Sequence, residues 1–300
     1  MAENLYVVTG ATGNVGKIIA ERLLAQGKRV RVIGREASRL EAHAKKGAEV
    51  REGSLEDAAF LTKAFEGATA VFAMIPPNFS VSGFRAFQNR VANAFASAIE
   101  KAGVKYVVSL SSIGANLSAG VGPVNGLHDM EQRFNRIPNV NVLHLRPGYF
   151  MENLLGNIGM IKGMNINGGP ARADVPIPLT ATQDIGEVAA RRLAALDFKG
   201  TSVQELHGPR DVTMAEATKA LGAAIGKPEL PYVAFPYEDA RKGMVGMGLP
   251  AEAADMFVEL NKGFNDGTVK ATQPRSAQTT TPTSIEDFAK NVFAPAFKAS

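Results

Sequence analysis

Apolar and polar positions along the first half of the chain follow two alternating periods. Leu5 to Val8 is a short uninterrupted apolar run, the mark of a strand buried on both faces. From Val15 the apolar positions take helical spacing, at Val15, Ile18, Ile19, Leu23 and Leu24, and Gly27 closes that run. Arg29 to Ile33 reads as a second strand. A short helix over Ala37 to Lys46 and a third strand over Ala48 to Arg51 come next. Leu55, Ala58, Leu61 and Phe65 mark another helix, with Ser54 and Asp57 as a variant capping box at its start. A fourth strand covers Ala68 to Ile75. In the long helix from Ser80 to Gly103, the residues Phe84, Phe87, Val91, Phe95 and Ala98 form one core-facing stripe. Strands at Val104 to Leu110 and Asn139 to Leu145 flank a helix over Gly126 to Arg136. Regular alternation of strand and helix predicts an α/β, doubly wound parallel sheet.

Past residue 153 the alternation loosens. Glycines and prolines gather between Gly163 and Pro178, a helix opens at Asp184-Ile185-Gly186-Glu187, and Val203 to His207 reads as one more strand. Thr213 caps a helix to Ile225, helices are expected near 237–247 and 251–264, and a last one over Ser284 to Phe293. The expected division is a dinucleotide-binding domain over 1–153, rejoined by about 184–208, and a smaller, mixed substrate-side domain over 154–300.

The turn between the first strand and helix holds glycines at Gly10, Gly13 and Gly16. Gly10 lets the chain turn sharply, Gly13 leaves the backbone open to a pyrophosphate, and Gly16 permits close helix packing. The free N–H groups of Thr12, Asn14 and Val15 and the helix dipole complete an anion site. The second strand ends Ile33-Gly34-Arg35 with no acid at its tip. An acid there would hold a ribose 2′-hydroxyl, whereas an arginine accommodates a 2′-phosphate. NADP is the expected cofactor, with NAD the other candidate. The Gly53-Ser54-Leu55 turn is placed near the adenine. Met74, Ile75 and Pro76, at the end of the fourth strand, are placed at the topological switch point beside the nicotinamide.

Composition narrows the class. Forty-five per cent apolar and 21% charged residues fit an ordinary globular chain. No apolar run reaches membrane-spanning length, and the first strand begins at Leu5, so neither a signal peptide nor a membrane anchor is expected, and a cytoplasmic location is. Zero cysteines exclude disulfides, thiolate metal sites and a cysteine nucleophile. No metal-ligand cluster is legible. The net charge of +4 is modest, and Lys28, Arg29, Arg31, Arg35 and Arg39 bring part of it to the expected phosphate end. No basic run interleaved with aromatics suggests nucleic acid as a partner.

The whole chain resembles the NmrA-like family of atypical short-chain dehydrogenases. The resemblance rests on the Gly10-Ala11-Thr12-Gly13-Asn14-Val15-Gly16 turn, Arg35, Gly53-Ser54-Leu55, Ser111-Ser112, the run Leu145-Arg146-Pro147-Gly148-Tyr149-Phe150-Met151-Glu152-Asn153, and Asp184-Ile185-Gly186. It implies a Rossmann fold and NADP, with Pro147 in the cofactor site and Ser111 as the substrate-orienting serine. Members include NADPH-dependent quinone and dye reductases, isoflavone-type reductases, and catalytically silent sensors that act through transcription factors.

Ordinary short-chain dehydrogenases protonate substrate with a tyrosine followed four residues later by a lysine. The residues four places after the five tyrosines here are Gly10, Leu110, Asn153, Pro236 and Arg241. No Tyr-x-x-x-Lys exists. The family's usual substitute, a lysine at the start of the helix after the Ser-Ser loop, is missing too, and His128-Asp129-Met130-Glu131 occupies that region. Reduction of a ketone makes a strongly basic alkoxide, whereas reduction of a quinone makes a phenolate-like anion near the ~10 of a phenol. Water or a histidine can protonate the latter. His128 is therefore the first candidate general acid and Tyr149 the second. His144 reads as a packed strand residue, and His207 ends a strand where it could face the cleft. Phe79, Phe150 and Met151 are expected to line the substrate side, with Tyr149 and Phe150 over the nicotinamide.

The expected activity is NADPH-dependent hydride transfer to a quinone-like or other conjugated small-molecule electrophile. The alternative is an NADP-binding redox sensor that acts through a protein partner without turnover.

Overall fold

The computed structural model describes residues 4–300. Its first half runs β1 (Leu5–Thr9), α1 (Asn14–Ala25), β2 (Arg29–Gly34), a 3-10 turn (Ala37–Leu40) leading into α2 (Glu41–Ala44), β3 (Glu49–Glu52), α3 (Ala58–Phe65), β4 (Ala68–Ala73), α4 (Phe84–Ala102), β5 (Tyr106–Leu110), α5 (Asn125–Phe134) and β6 (Asn141–Pro147). Then come β7 (Tyr149–Phe150), a 3-10 turn (Met151–Asn157), α6 (Ile158–Met164), β8 (Asn167–Gly169), β9 (Ile177–Thr180), α7 (Thr182–Ala195), β10 (Thr201–Leu206) and β11 (Asp211–Val212). The chain closes with α8 (Met214–Ala224), β12 (Tyr232–Ala234), α9 (Tyr237–Gly246), α10 (Ala251–Asn265), α11 (Ile285–Phe288) and α12 (Ala294–Ala299).

Seven strands form one parallel sheet in the order β10-β6-β5-β4-β1-β2-β3. The order reverses between β1 and β4, which makes the carboxyl ends of those two strands the switch point of a doubly wound sheet. The two-residue period of a strand divides the core. Tyr6, Val8, Val30 and Val32 face α1 and α7, whereas Val7, Ile33 and Val71 face α3 and α4. The central strands β1 and β4 are apolar on both faces, which is why the sequence shows runs there rather than alternation. Where α7 crosses α1, a Cβ added at Gly186 would lie 2.7 Å from Ile18 Cβ, so only glycine allows this approach.

A second core, built from Met151, Leu154, Ile161, Ile177, Leu179, Leu221 and Phe264 among others, lies under two small sheets. One has the order β11-β9-β7 and the other pairs β12 with β8. The segment after α10 then returns along the main sheet. Glu205 on β10 is fully buried and accepts from Thr272 N, Thr272 Oγ1 and Gln273 N, while His207 N donates to Thr279 O. The open edge of β10 is thereby covered.

Three local details differ from the expectations. Asp57 alone caps α3, its Oδ1 accepting from Ala59 N and Phe60 N, while Ser54 Oγ accepts from Glu56 N and belongs to the preceding turn. The long helix begins at Phe84 rather than Ser80, because Gly83 at φ +68° breaks the chain direction. Its N-terminus is capped from outside, with Glu252 of α10 accepting from Gly83 N and Phe84 N at 2.9 Å. The last helix is interrupted by a π turn over Ala289–Phe293 and runs on to Ala299. Among the described residues no helix is long and apolar enough to cross a membrane, and no three metal-ligating side chains cluster.

Candidate functional site

The turn from β1 into α1 is built so that its backbone is open on one side. Gly10 has φ +65°, and a Cβ there would sit 2.7 Å from Met74 Sδ. A Cβ at Gly16 would come 2.3 Å from Gly10 O. These two glycines are thus required by the protein itself, and the close approach at Gly16 is to the turn rather than to the sheet. Gly13 differs. Its φ of −93° suits any residue, and a Cβ there would meet nothing nearer than Gly10 O at 3.4 Å. The fold places no demand on Gly13, which lies exposed with Thr12 and Asn14 at the start of a helix that no side chain caps. An uncapped N-terminus with a bare backbone fits a phosphate.

Thr9, which the sequence reading did not single out, fixes the switch point. Its buried hydroxyl donates to Phe72 O at 2.9 Å and accepts from Met74 N at 3.2 Å. Met74 is thereby held over Gly10. Ile75 turns the other way and is buried with Val7 and Ile33, so its side chain is core rather than pocket wall. Pro76 is half-buried beyond it.

At the tip of β2, Arg35 and Arg39 are exposed and unpaired among the described residues. Of the other cations expected there, Lys28 precedes the opposite end of β2 and two are engaged elsewhere. Glu49 takes Arg29, Arg31 and Arg51, and Arg31 is buried and also donates to Ala64 O and Glu66 O. The Arg31 hydrogen bond holds the Glu49 carboxyl below its usual range. Gly53 donates its N–H to Gly34 O, and the Phe60 ring lies where a Cβ at Gly53 would go. Ser54 is exposed beside it.

Ser109 and Ser111 point to the same side of β5, and His144 and Arg146 to the same side of β6. The helix α5 meets them with Glu131 and Asn135, one turn apart. Two polar rungs result. Asn135 Oδ1 accepts from His144 Nε2 at 2.8 Å, so His144 Nδ1 accepts from the Ser109 hydroxyl at 2.6 Å. Ser111 Oγ donates to Glu131 Oε1, and Arg146 grips both oxygens of Glu131. Burial pushes His144 down to about 4, so it is neutral in the rung. Ser111 is only 2% exposed. The expectation that it orients substrate is corrected: its hydroxyl faces α5.

His128 lies one turn before Glu131. Its Nδ1–H donates to Ala115 O at 2.8 Å. Nε2 has no protein partner among the described residues and is not one of the sealed polar atoms. The ring therefore offers one nitrogen to whatever stands beside it. Tyr149 is less suited to give a proton, because burial pushes its hydroxyl up to about 12. Its ring packs edge-on to Phe264 at 6.4 Å. Phe150, next on β7, leans on the core of the main sheet. Met151 is 1% exposed and belongs to the second core, which corrects its placement on the substrate side. Pro147 is likewise buried, with its carbonyl accepting from Ile113 N. Phe79 follows β4 and joins Phe84 and Phe257, each at 4.9 Å between ring centres, so α10 reaches the switch-point loop through Phe257. His207 is buried against Glu205 and does not face a cleft. A recess of about 500 Å³ lined by Arg22, Lys28, Glu187 and Arg191 lies by the opposite end of α1 from the glycine turn.

The chain is 29% identical over 265 residues to an NAD(P)H azoreductase of Xenophilus azovorans, covering 85% of this chain and 86% of that one. It is 28% identical to a (4-alkanoyl-5-oxo-2,5-dihydrofuran-3-yl)methyl phosphate reductase of Streptomyces griseus, covering 85% of each. Among solved structures it superposes on an NADPH-dependent quinone oxidoreductase of Escherichia coli, complexed with NADPH, at a TM-score of 0.81 and 25% identity, covering 96% of this chain and 99% of that one. The sequence profile of the NmrA-like family matches residues 3–289. With the profile spanning nearly the whole length, this chain belongs to the NmrA-like family.

Proposed function

We propose that this protein is an NADPH-dependent oxidoreductase that passes hydride to a flat, conjugated acceptor such as a quinone or an azo dye. The observation that carries the reading is Gly13: exposed, unneeded by the fold, and set at the uncapped N-terminus of α1. The backbone amides of Thr12, Asn14 and Val15 would hold the pyrophosphate, Gly13 N–H being given to Gly10 O, and Arg35 with Arg39 would receive the 2′-phosphate. Met74, held by Thr9, forms the wall beside the nicotinamide end. Bound NADPH would supply the hydride, and the protein supplies orientation and an apolar surround.

The acceptor class follows from the proton. Tyr149 holds its proton too tightly, Ser111 is engaged by Glu131, and no Tyr-x-x-x-Lys is present. His128 remains, its Nδ1–H fixed by Ala115 O, so that Nε2 is the nitrogen that takes the ring's second proton and passes it to an anionic oxygen or nitrogen. The reductases named among the relatives support such acceptors. Phe79 and Phe150 are the aromatic surfaces assigned to the acceptor. A silent NADP sensor is the second reading, favoured by the burial of Ser111 and the tightly held Tyr149 proton.

Single-turnover oxidation of bound NADPH, followed optically against quinones, azo dyes, cationic dyes and enones, tests the proposal. Acceptor-dependent oxidation by at least one class is expected. Tight NADPH binding without oxidation by any of them would transfer the reading to the sensor. Failure to bind either nicotinamide cofactor would end both.

A further inference from the structure

His43 lies on α2, outside every residue assigned above, and is 4% exposed. Its Nε2 lies 3.0 Å from Ala11 O, inside the glycine turn. A carbonyl accepts, so Nε2 carries the hydrogen. Nδ1 then has neither partner nor solvent. An unpartnered buried nitrogen is unfavourable, and an apolar side chain of similar size would avoid it. What the imidazole adds to this position is the bond to Ala11.

That bond has a geometric consequence. In a trans peptide the C=O of one residue and the N–H of the next point in opposite directions within one plane. Ala11 is fully buried and Thr12 exposed. With Ala11 O drawn inward to His43, Thr12 N–H is turned outward, and it has no acceptor among the described residues. The segment that carries His43 is itself anchored, because Leu40 packs beneath Gly34, where a Cβ would come within 3.0 Å of it. The His43 C=O is tied into the same unit, with Lys46 N and Ala48 N donating to it.

We infer that His43 is a positioning residue for dinucleotide binding: through Ala11 O it sets the Ala11–Thr12 peptide so that Thr12 N–H faces the pyrophosphate. The inference rests on the NADP reading above. It also separates His43 from the Arg35 segment it follows in sequence. The pyrophosphate is common to NADPH and NADH, so loss of the His43 bond must weaken both alike.

The test compares His43→Gln, whose side-chain amide places N–H where Nε2 stands, with His43→Asn, whose amide falls at Nδ1. Dissociation constants for NADPH and NADH are measured by titration, with the unfolding midpoint of each apo protein beside them. His43→Gln should bind within about threefold of the parent, and His43→Asn should lose about tenfold or more for both cofactors, as for one missing hydrogen bond to an ionised group. Parent-like binding by His43→Asn overturns the inference, as does a loss confined to NADPH. Equal losses in Gln and Asn would also overturn it, since shape alone would then explain the effect. If the parent binds neither cofactor, the NADP reading itself falls, an outcome distinct from the others. Should a variant fail to fold, the long-range ¹H–¹⁵N spectrum of the parent decides. It must show the His43 ring protonated on Nε2 and bare on Nδ1, and the opposite tautomer overturns the inference.

Discussion

Glu131 on α5 and Arg146 on β6 form a two-armed ion pair, Nε to Oε1 at 2.8 Å, with the glutamate side chain almost wholly buried. It joins the helix that carries His128 to the strand that leads into Tyr149 and Phe150. Removing one partner of a buried pair strands the other charge. Glu131→Gln should therefore lower unfolding stability by roughly 3–5 kcal/mol. The double variant Glu131→Leu, Arg146→Met should lose less than either single change. Chemical denaturation checks this, and a single-variant loss below about 1 kcal/mol would show the pair to behave as a surface one.

The two glycines of the turn should respond differently to alanine. Gly16→Ala drives a Cβ into Gly10 O and should destabilise the apo protein by ~2 kcal/mol or more. Gly13→Ala has room and an ordinary φ, so its apo stability should match the parent while NADPH affinity falls. Unfolding curves with and without cofactor separate the two. Parent-like affinity in Gly13→Ala would remove the reason given for that glycine.

Arg35→Ala should weaken NADPH by about 10- to 100-fold, the range of one or two charge-assisted hydrogen bonds, and leave NADH nearly unchanged. Equal losses for the two cofactors would mean that Arg35 does not read the 2′-phosphate.

His128→Asn keeps an N–H for Ala115 O but removes Nε2. Turnover with a quinone should fall by about 100-fold or more at neutral pH, as for loss of a general acid. Tyr149→Phe should retain activity within about threefold, because its proton is held to about 12. Steady-state kinetics on both variants, with NADPH dissociation constants as controls, decide the assignment. The reverse ranking would transfer the proton to Tyr149.

Stability should fall in two acid windows. Burial lowers His144 from 6.5 to about 4, so the unfolded chain takes up a proton first as pH falls. The stability this group contributes is complete above 6.5 and is lost between 6.5 and 4, by roughly 3 kcal/mol. Glu205 acts lower. Burial alone would raise it, but hydrogen bonds from His207, Thr272 and Gln273 hold it at about 2, so its contribution is lost from 4.5 downward. Urea unfolding from pH 7 to pH 4 should show the first loss, and His144→Gln should flatten it. An unchanged slope in that variant would assign the loss to another group.

The sequence by itself determined the parallel sheet, the glycine turn and the exposed Arg35. Each is a local pattern: apolar runs for strands buried on both faces, helical spacing for α1 and α4, glycines between them. Strands β7, β8, β9, β11 and β12 span two to four residues, too short for a period to show, and they form only because distant partners present matching edges. The side-chain roles were decided in the same way. Ser111 sits where a substrate-orienting serine would, yet Glu131, 20 residues on, takes its hydroxyl. Ile75 and Met151 are apolar at the ends of strands and could have lined a pocket, but the cores behind them claim both. Thr9 and His43 carry no signal in the sequence, since their partners Phe72 and Ala11 lie 63 and 32 residues away. Backbone period is a property of neighbours along the chain. Where a hydroxyl or an imidazole points depends on neighbours in space, and only the tertiary structure supplies those.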